Sequence, residues 1–273
     1  MKLYTLERFP GISVTGVDCA LKCKHCNAKF LHSMIPTKSG EDLVEIAQKL
    51  KNEGKKGFLL SGGCDVKGRV PLWNVVEDVH AIKLQSPMRI NAHTGLVYTE
   101  ELARIYAASN IDVFSVDVIG SEETLQEIYN ADVHVRDYEK TIENLLRSGA
   151  TVVPHVTIGI NYGRESGEEN AIDIVSRYPV SKLVLNVLVP VSGTPMENIH
   201  VPVERIEHVF QYARDRVKTE IVLGCMRERK PEIEMLAYKN GFAGVARPTR
   251  EFVEYLKKSG EEILIRDYCC CFQ

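Results

Sequence analysis

"DCALKCKHCNAKF", residues Asp18–Phe30, places Cys19, Cys23 and Cys26 within eight residues. The stretch follows an apolar run, Ile12–Val17, and similar runs return at Gly57–Leu60, Met88–Ala92, Ile111–Val118, Thr151–Ile160, Leu183–Val189, Glu220–Leu223 and Phe242–Ala246. Most are rich in Val and Ile and do not alternate strictly, as expected of strands buried on both faces. Pro154 falls inside one run and weakens it, because proline removes a ladder donor. Helical stripes lie between the runs: Leu43, Ile46, Ala47 and Leu50 after a Ser39 cap, Tyr138, Ile142, Leu145 and Leu146 after an Asp137 cap, and Ile206, Val209, Phe210, Ala213 and Val217. Pro71, Pro202 and Pro231 stand where helices start, a position that tolerates proline.

Eight strand–helix units without a long polar linker predict an α/β fold, a single (β/α)8 TIM-like barrel of parallel strands; an open doubly wound sheet is the alternative. The barrel is expected over residues 1–260, with 261–273 forming a C-terminal strand and a Cys-rich tail that folds toward the barrel mouth. In such a barrel, function gathers where strands end. The cysteine loop follows the first strand and "SGGCD" (61–65) the second. "NAHTG" ends the third, "SVDVIG" the fourth, and "GINYGRESGE", "PVSGTPM" and "GCMRER" follow the next three.

The chain has 273 residues and a formal net charge of −3, so it offers no electrostatic reason to expect nucleic acid. No apolar run approaches the roughly 18 residues of a membrane span, and "MKLYTLERF" does not read as a signal peptide. A cytoplasmic location is expected. There, the eight cysteines point to metal or redox chemistry rather than disulfides.

Cys-x3-Cys-x2-Cys lacks the second close pair of a zinc knuckle. Thiolates suit an iron–sulfur cluster, and three of them hold three irons of a [4Fe–4S] cube while leaving the fourth open to a small molecule. A structural zinc completed by His25, His32 or a distant cysteine is the blander alternative.

The spacing in "CALKCKHC" resembles the signature of the radical S-adenosylmethionine (SAM) superfamily. "LLSGGCD" is similar to that family's second-strand element, "GINYGRE" to its fifth-strand glycine element, and "LVPVSGTPM" to the sixth-strand segment of its biotin-synthase-like branch. The resemblance implies that Cys19, Cys23 and Cys26 ligate the cluster, with SAM chelating the open iron through its amino and carboxylate groups. It places His25 against the adenine and lets Gly62 and Gly63 approach the methionine amino group. Asp117 and Ser115 become candidates for the ribose, Gly159, Ile160 and Val189 for the adenine, and Arg164 and Glu165 for the carboxylate end. The family commonly has an acidic residue where this chain has Cys64; Asp65 follows as a substitute.

Five cysteines remain. Cys64 and Cys225 follow strands, and "RDYCCCFQ" sets Cys269, Cys270 and Cys271 side by side. If the tail is extended, Cys269 and Cys271 face one way and Cys270 the other. Cys64, Cys225, Cys269 and Cys271 would then hold an auxiliary [4Fe–4S] cluster. The alternatives are small buried residues with a loose tail, or a redox pair across the barrel mouth. His93 and His155 lie on strand ends and face substrate or are ordinary hydrogen-bonded histidines. Arg227, Arg229 and Arg247 bind a substrate carboxylate, line the site or form a solvated rim. Trp73 is a packing residue.

The resemblance implies a sulfur-insertion enzyme, and more narrowly it resembles one component of the two-protein archaeal lipoyl synthase. Its partners would be a lipoyl-carrier protein with an octanoyl-lysyl segment, a sister radical SAM protein and a low-potential electron donor. The alternatives are a radical SAM isomerase or metallocofactor maturase without an auxiliary cluster, and a non-catalytic iron–sulfur electron carrier.

Overall fold

The computed structural model describes residues 1–37 and 40–272. All the strands run parallel: β1 (Lys2–Tyr4), β2 (Gly11–Ser13), β3 (Ile35–Pro36), β4 (Gly57–Ser61), β5 (Arg89–His93), β6 (Val113–Asp117), β7 (Val152–Ile158), β8 (Lys182–Val187), β9 (Glu220–Leu223), β10 (Gly244–Ala246) and β11 (Leu264–Arg266). Their order in the single sheet is β11-β1-β10-β9-β8-β7-β6-β5-β4-β2-β3. Each expected apolar run supplies one strand, and the expected C-terminal strand is β11. Two were not expected: β1, from a start weighed only as a targeting signal, and the two-residue β3.

The sheet curls into a half-barrel. Among the described residues no ladder joins β3 to β11, so the expected closed ring of eight gives way to an open sheet of eleven strands. The curl is visible in the packing. Tyr4, Val113, Val153, Val184, Val222 and Ala246, from six strands, meet in one buried cluster. Their neighbours along the strands, among them Leu3, Phe114, Val152, Leu183, Leu185, Leu223 and Val245, pack outward in a second, larger cluster beneath the helices. Both faces are thus apolar, which explains the unbroken Val- and Ile-rich runs. The inward positions of β6 to β10 in this cluster carry Val or Ala. Barrels usually fill their centre with bulky side chains; here the chain's own tail, Cys269 to Phe272, occupies that space.

The helices follow their apolar stripes. Leu43, Ala47 and Leu50 are buried on helix Gly40–Asn52, although Ser39 lies outside the described residues. Ile206, Val209, Phe210 and Ala213 are buried on helix Val203–Arg216. Helix Val135–Arg147 buries Tyr138, Ile142 and Leu145. Its cap is His134, not Asp137; Asp137 sits three residues in and accepts from the His134 N–H at 2.8 Å, closing a capping box. Pro154 lies within β7. No helix among the described residues is long and apolar enough to cross a membrane.

Candidate metal and cofactor sites

The cysteine loop leaves β2 at the C-terminal edge of the sheet and is stitched to the segment after β4. Thr15 Oγ1 accepts from the Gly63 N–H at 2.7 Å and donates to the Asp18 carbonyl at 2.9 Å. The Ala20 N–H donates to the Cys64 carbonyl at 2.8 Å. A Cβ on Gly63 would lie 2.0 Å from the Asp18 carbonyl oxygen and 2.6 Å from Cys19 Cα. Gly63 therefore lacks a side chain because the cysteine loop itself presses on it. Gly62 is less crowded, with side-chain atoms of Val14 and Thr15 at 3.1–3.2 Å from such a Cβ.

Within the loop, Cys23 is buried and Cys19 and Cys26 are half-buried. The Cys23 and Cys26 thiols share a hydrogen bond, which together with the neighbouring His25 pulls Cys26 down to about 4 and, with burial, pushes Cys23 up. His25 stacks against Tyr129 with ring centroids 5.4 Å apart, and its buried Nδ1 has no protein partner. Three thiols at the end of a strand, beside an unpartnered imidazole nitrogen, fit a thiolate-bound cluster with a ligand against His25. Lys29 reaches from this loop to the Ser192 carbonyl, joining it to the "SGTP" segment after β8.

The remaining expected SAM contacts divide. Asp117 is exposed at the end of β6, 4.0 Å from His93 Nδ1. Val189 is half-buried just after β8. Gly159 has φ 73° and gives its N–H to Glu168 Oε1 at 2.7 Å. Ile160 packs in the outer cluster, away from the inward face. Arg164 is exposed and bonded to Asn161 Oδ1 at 3.0 Å, while Glu165 is exposed. Ser115 is a correction: it points inward and deeper than Asp117, donating to Asn91 Oδ1 at 2.8 Å and lying 3.4 Å from Cys271 Sγ. Asp65 is another correction. Its carboxylate is committed to the Lys67 and Arg69 N–H groups and to the Arg69 guanidinium, so it does not replace the acidic residue.

The tail forms a second group of thiols. Cys269, Cys270 and Cys271 are all buried and their sulfurs lie within 4.8 Å of one another. The expectation of an extended tail fails because the chain turns here, the Phe272 N–H returning to the Cys269 carbonyl at 3.2 Å. Cys270 consequently faces inward with its neighbours. The tail meets the starts of strands rather than the mouth. Phe272 packs on Phe9 before β2, and Arg89, the first residue of β5, lies over both Tyr268 and Phe272. Lys182, the first residue of β8, is buried and donates to the carbonyls of Phe272 and Cys270 and to Tyr4 Oη. Cys225 packs beside this group. Cys64 does not: it adjoins Cys19, and burial, with that neighbour, pushes it up to about 12. The expected four-cysteine set is therefore split between two sites.

Sequence reasoning missed Lys182 and Asn91. A lysine opening an apolar strand run was the available signal for the first; for the second it was the "NAHTG" strand end that Asn91 opens. Arg227 was considered for a substrate carboxylate. It is instead buried against Glu234, Nη2 to Oε1 2.5 Å, with Nη1 on the Ala246 carbonyl at 2.7 Å. Trp73 packs, as expected, beneath Arg69.

Residues 13–177, more than half of the chain, match the radical SAM superfamily. The chain belongs to that superfamily. It is similar to biotin synthases, at 23% identity to that of Natronomonas pharaonis, covering 88% of this chain and 68% of the relative, and 25% to that of Thermotoga neapolitana, covering 83% of each. Among solved structures, the FeFe-hydrogenase maturase HydG from Carboxydothermus hydrogenoformans superposes with a TM-score of 0.69 at 16% identity, over 99% of this chain and 68% of that one. Methylornithine synthase superposes with a TM-score of 0.65 at 15% identity, over 95% and 84%. These likenesses place the half-barrel among radical SAM folds. The family implies a [4Fe–4S] cluster and SAM.

Proposed function

We propose that this radical SAM enzyme inserts sulfur into an unactivated carbon chain, as one component of a lipoyl synthase acting on a protein-bound octanoyl group. When bound and reduced, the loop cluster would supply the electron that turns SAM into methionine and a hydrogen-abstracting 5′-deoxyadenosyl radical, and an auxiliary [4Fe–4S] cluster would supply the sulfide. Cys19, Cys23 and Cys26 hold the first group in this reading. Gly62 and Gly63 present backbone to the methionine end of SAM, Asp117 its carboxylate to the ribose, and Arg164 its guanidinium to the carboxylate. Cys225 and the three tail cysteines remain for the second group, Cys64 having been drawn to the first.

The observation that carries this reading is the second set of buried thiols inside the sheet. The isomerase or maturase reading, which has no auxiliary cluster, needs no such set; an electron carrier needs no adenosyl pocket; and the similarity to biotin synthases points the same way. The partners follow as a lipoyl-carrier protein, a sister radical SAM protein and a low-potential electron donor.

The test is an anaerobic incubation of the reconstituted chain with SAM, a reductant and an octanoyl-lysyl peptide, read by mass spectrometry. A peptide that gains sulfur in step with 5′-deoxyadenosine, alone or with its sister protein, supports the proposal. SAM cleavage with no sulfur transfer under any pairing moves the chain to the isomerase or maturase reading. Absence of SAM cleavage returns it to a carrier.

A further inference from the structure

The thiols of the tail do not sit in an apolar hole. Asn91 Nδ2 donates to Cys269 Sγ at 3.4 Å, Ser115 Oγ is 3.4 Å from Cys271 Sγ, and His155 Nε2 is 3.7 Å from Cys271 Sγ. Each of these side chains comes from a different strand, β5, β6 and β7, and all are buried.

We propose that Cys269, Cys270, Cys271 and His155 form one metal centre, with His155 Nε2 as its nitrogen ligand beside three thiolates. The inference deepens the reading above, in which the tail binds iron, and puts His155 where that reading has Cys225, which packs beside the tail. Four arguments support it. The first is spacing. His155 Nε2 lies 3.7 Å from Cys271 Sγ, and the three sulfurs lie within 4.8 Å of one another, so His155 meets this group of thiols at Cys271. The second is orientation. His155 Nδ1 is 3.1 Å from the Val153 carbonyl, which only accepts. Nδ1 therefore carries the ring proton, and Nε2 presents its lone pair toward the thiols, the arrangement that ligating histidines use. The third is charge. Lys182 brings a buried ammonium to the carbonyls of Cys270 and Phe272, next to thiols that give up their protons on binding. The fourth is donor type. Three thiolates and one imidazole suit iron and zinc, and imidazole also ligates iron–sulfur centres.

A histidine that merely packed in the core would show the Val153 bond and the burial, but it would not bind metal. The experiment uses the Cys19/Cys23/Cys26→Ala chain, in which the loop iron is removed. It is labelled with 15N-histidine or left unlabelled, and loaded without oxygen with iron and sulfide in one sample and with zinc in another. Metal is counted after desalting. Pulsed electron paramagnetic resonance reads nitrogen coupling in the reduced iron sample, and X-ray absorption reads the zinc ligands. The expected result is retained iron with a nitrogen coupling that changes on 15N-histidine labelling and vanishes in His155→Ala, whereas His155→Cys retains iron without the coupling. The labelling readout needs no substitution at His155 and stands if the alanine variant fails to fold. Retained iron with no histidine coupling overturns the inference and leaves the iron-binding tail intact. Zinc bound through one nitrogen, with no iron retained, upholds the His155 centre and removes the sulfur-donating cluster. Retention of neither metal overturns both.

Discussion

The loop cysteines and the tail cysteines solve different problems with the same side chain. Cys19, Cys23 and Cys26 sit at the C-terminal edge of the sheet and are half-buried except for Cys23. Cys269, Cys270 and Cys271 are enclosed among six strands and tied by Lys182 at the opposite end. A metal at the edge can meet a small molecule arriving from solvent. A metal inside is reached only through the sheet's own interior, so its ligands can also come from that interior. Exposure separates the two sites more than sequence does, since each is a three-cysteine stretch.

The largest expected effect comes from Cys19/Cys23/Cys26→Ala. Formation of 5′-deoxyadenosine falls to background, while the tail thiols stay as slow toward a thiol reagent as in the unsubstituted chain. If tail reactivity rises together with the loss of activity, the two sites are one unit. Gly63→Val is next. Its side chain meets the Asp18 carbonyl and Cys19 backbone, so overpacking of about 1–3 kcal/mol is expected, together with loss of loop iron. Gly62→Ala should cost less than Gly63→Ala, since side-chain atoms border it at 3.1–3.2 Å where backbone atoms crowd Gly63 at 2.0–2.6 Å; equal losses in thermal unfolding would refute the crowding argument.

Lys182→Met addresses the other region. It strips donors from the carbonyls of Cys270 and Phe272, each an unsatisfied buried acceptor costing about 1–3 kcal/mol. The tail should loosen, with faster labelling of Cys269–Cys271 and unchanged loop iron. Glu168→Gln belongs to neither region and has the smallest effect on them. Burial alone would raise its pKa, but the N–H groups of Gly159 and Ser166 outweigh that and hold it below the usual range. Its contribution to stability is thus present at neutral pH and is lost as pH falls through the folded value. The variant should show a flatter acid limb in pH-dependent unfolding.

The eight strands and the cysteine loop were legible because strand burial on both faces and ligand spacing are local patterns. The tail was not, because a turn and an extended segment use the same three letters, Cys-Cys-Cys, and only the Phe272 to Cys269 bond tells them apart. Cys64 follows a strand just as Cys225 does. The two part company only through register, which sends Cys64 toward Cys19 and Cys225 toward the tail. Ring closure was overestimated for a similar reason. Counting strands says nothing about whether the first and last ones pair, and β1 and β11 pair with each other instead of with β2 or β3.

The position of the tail in the chain imposes an order on assembly. Residues 269–272 leave the ribosome after every strand that encloses them, whereas the loop cysteines and the β4 segment that braces them are complete within the first 65 residues. The outer ligand set can therefore exist on a nascent chain, but the inner one exists only once the sheet has curled and its last residues have been drawn in. The loop thiols are therefore gathered earlier in synthesis than the tail thiols proposed above as a second ligand set.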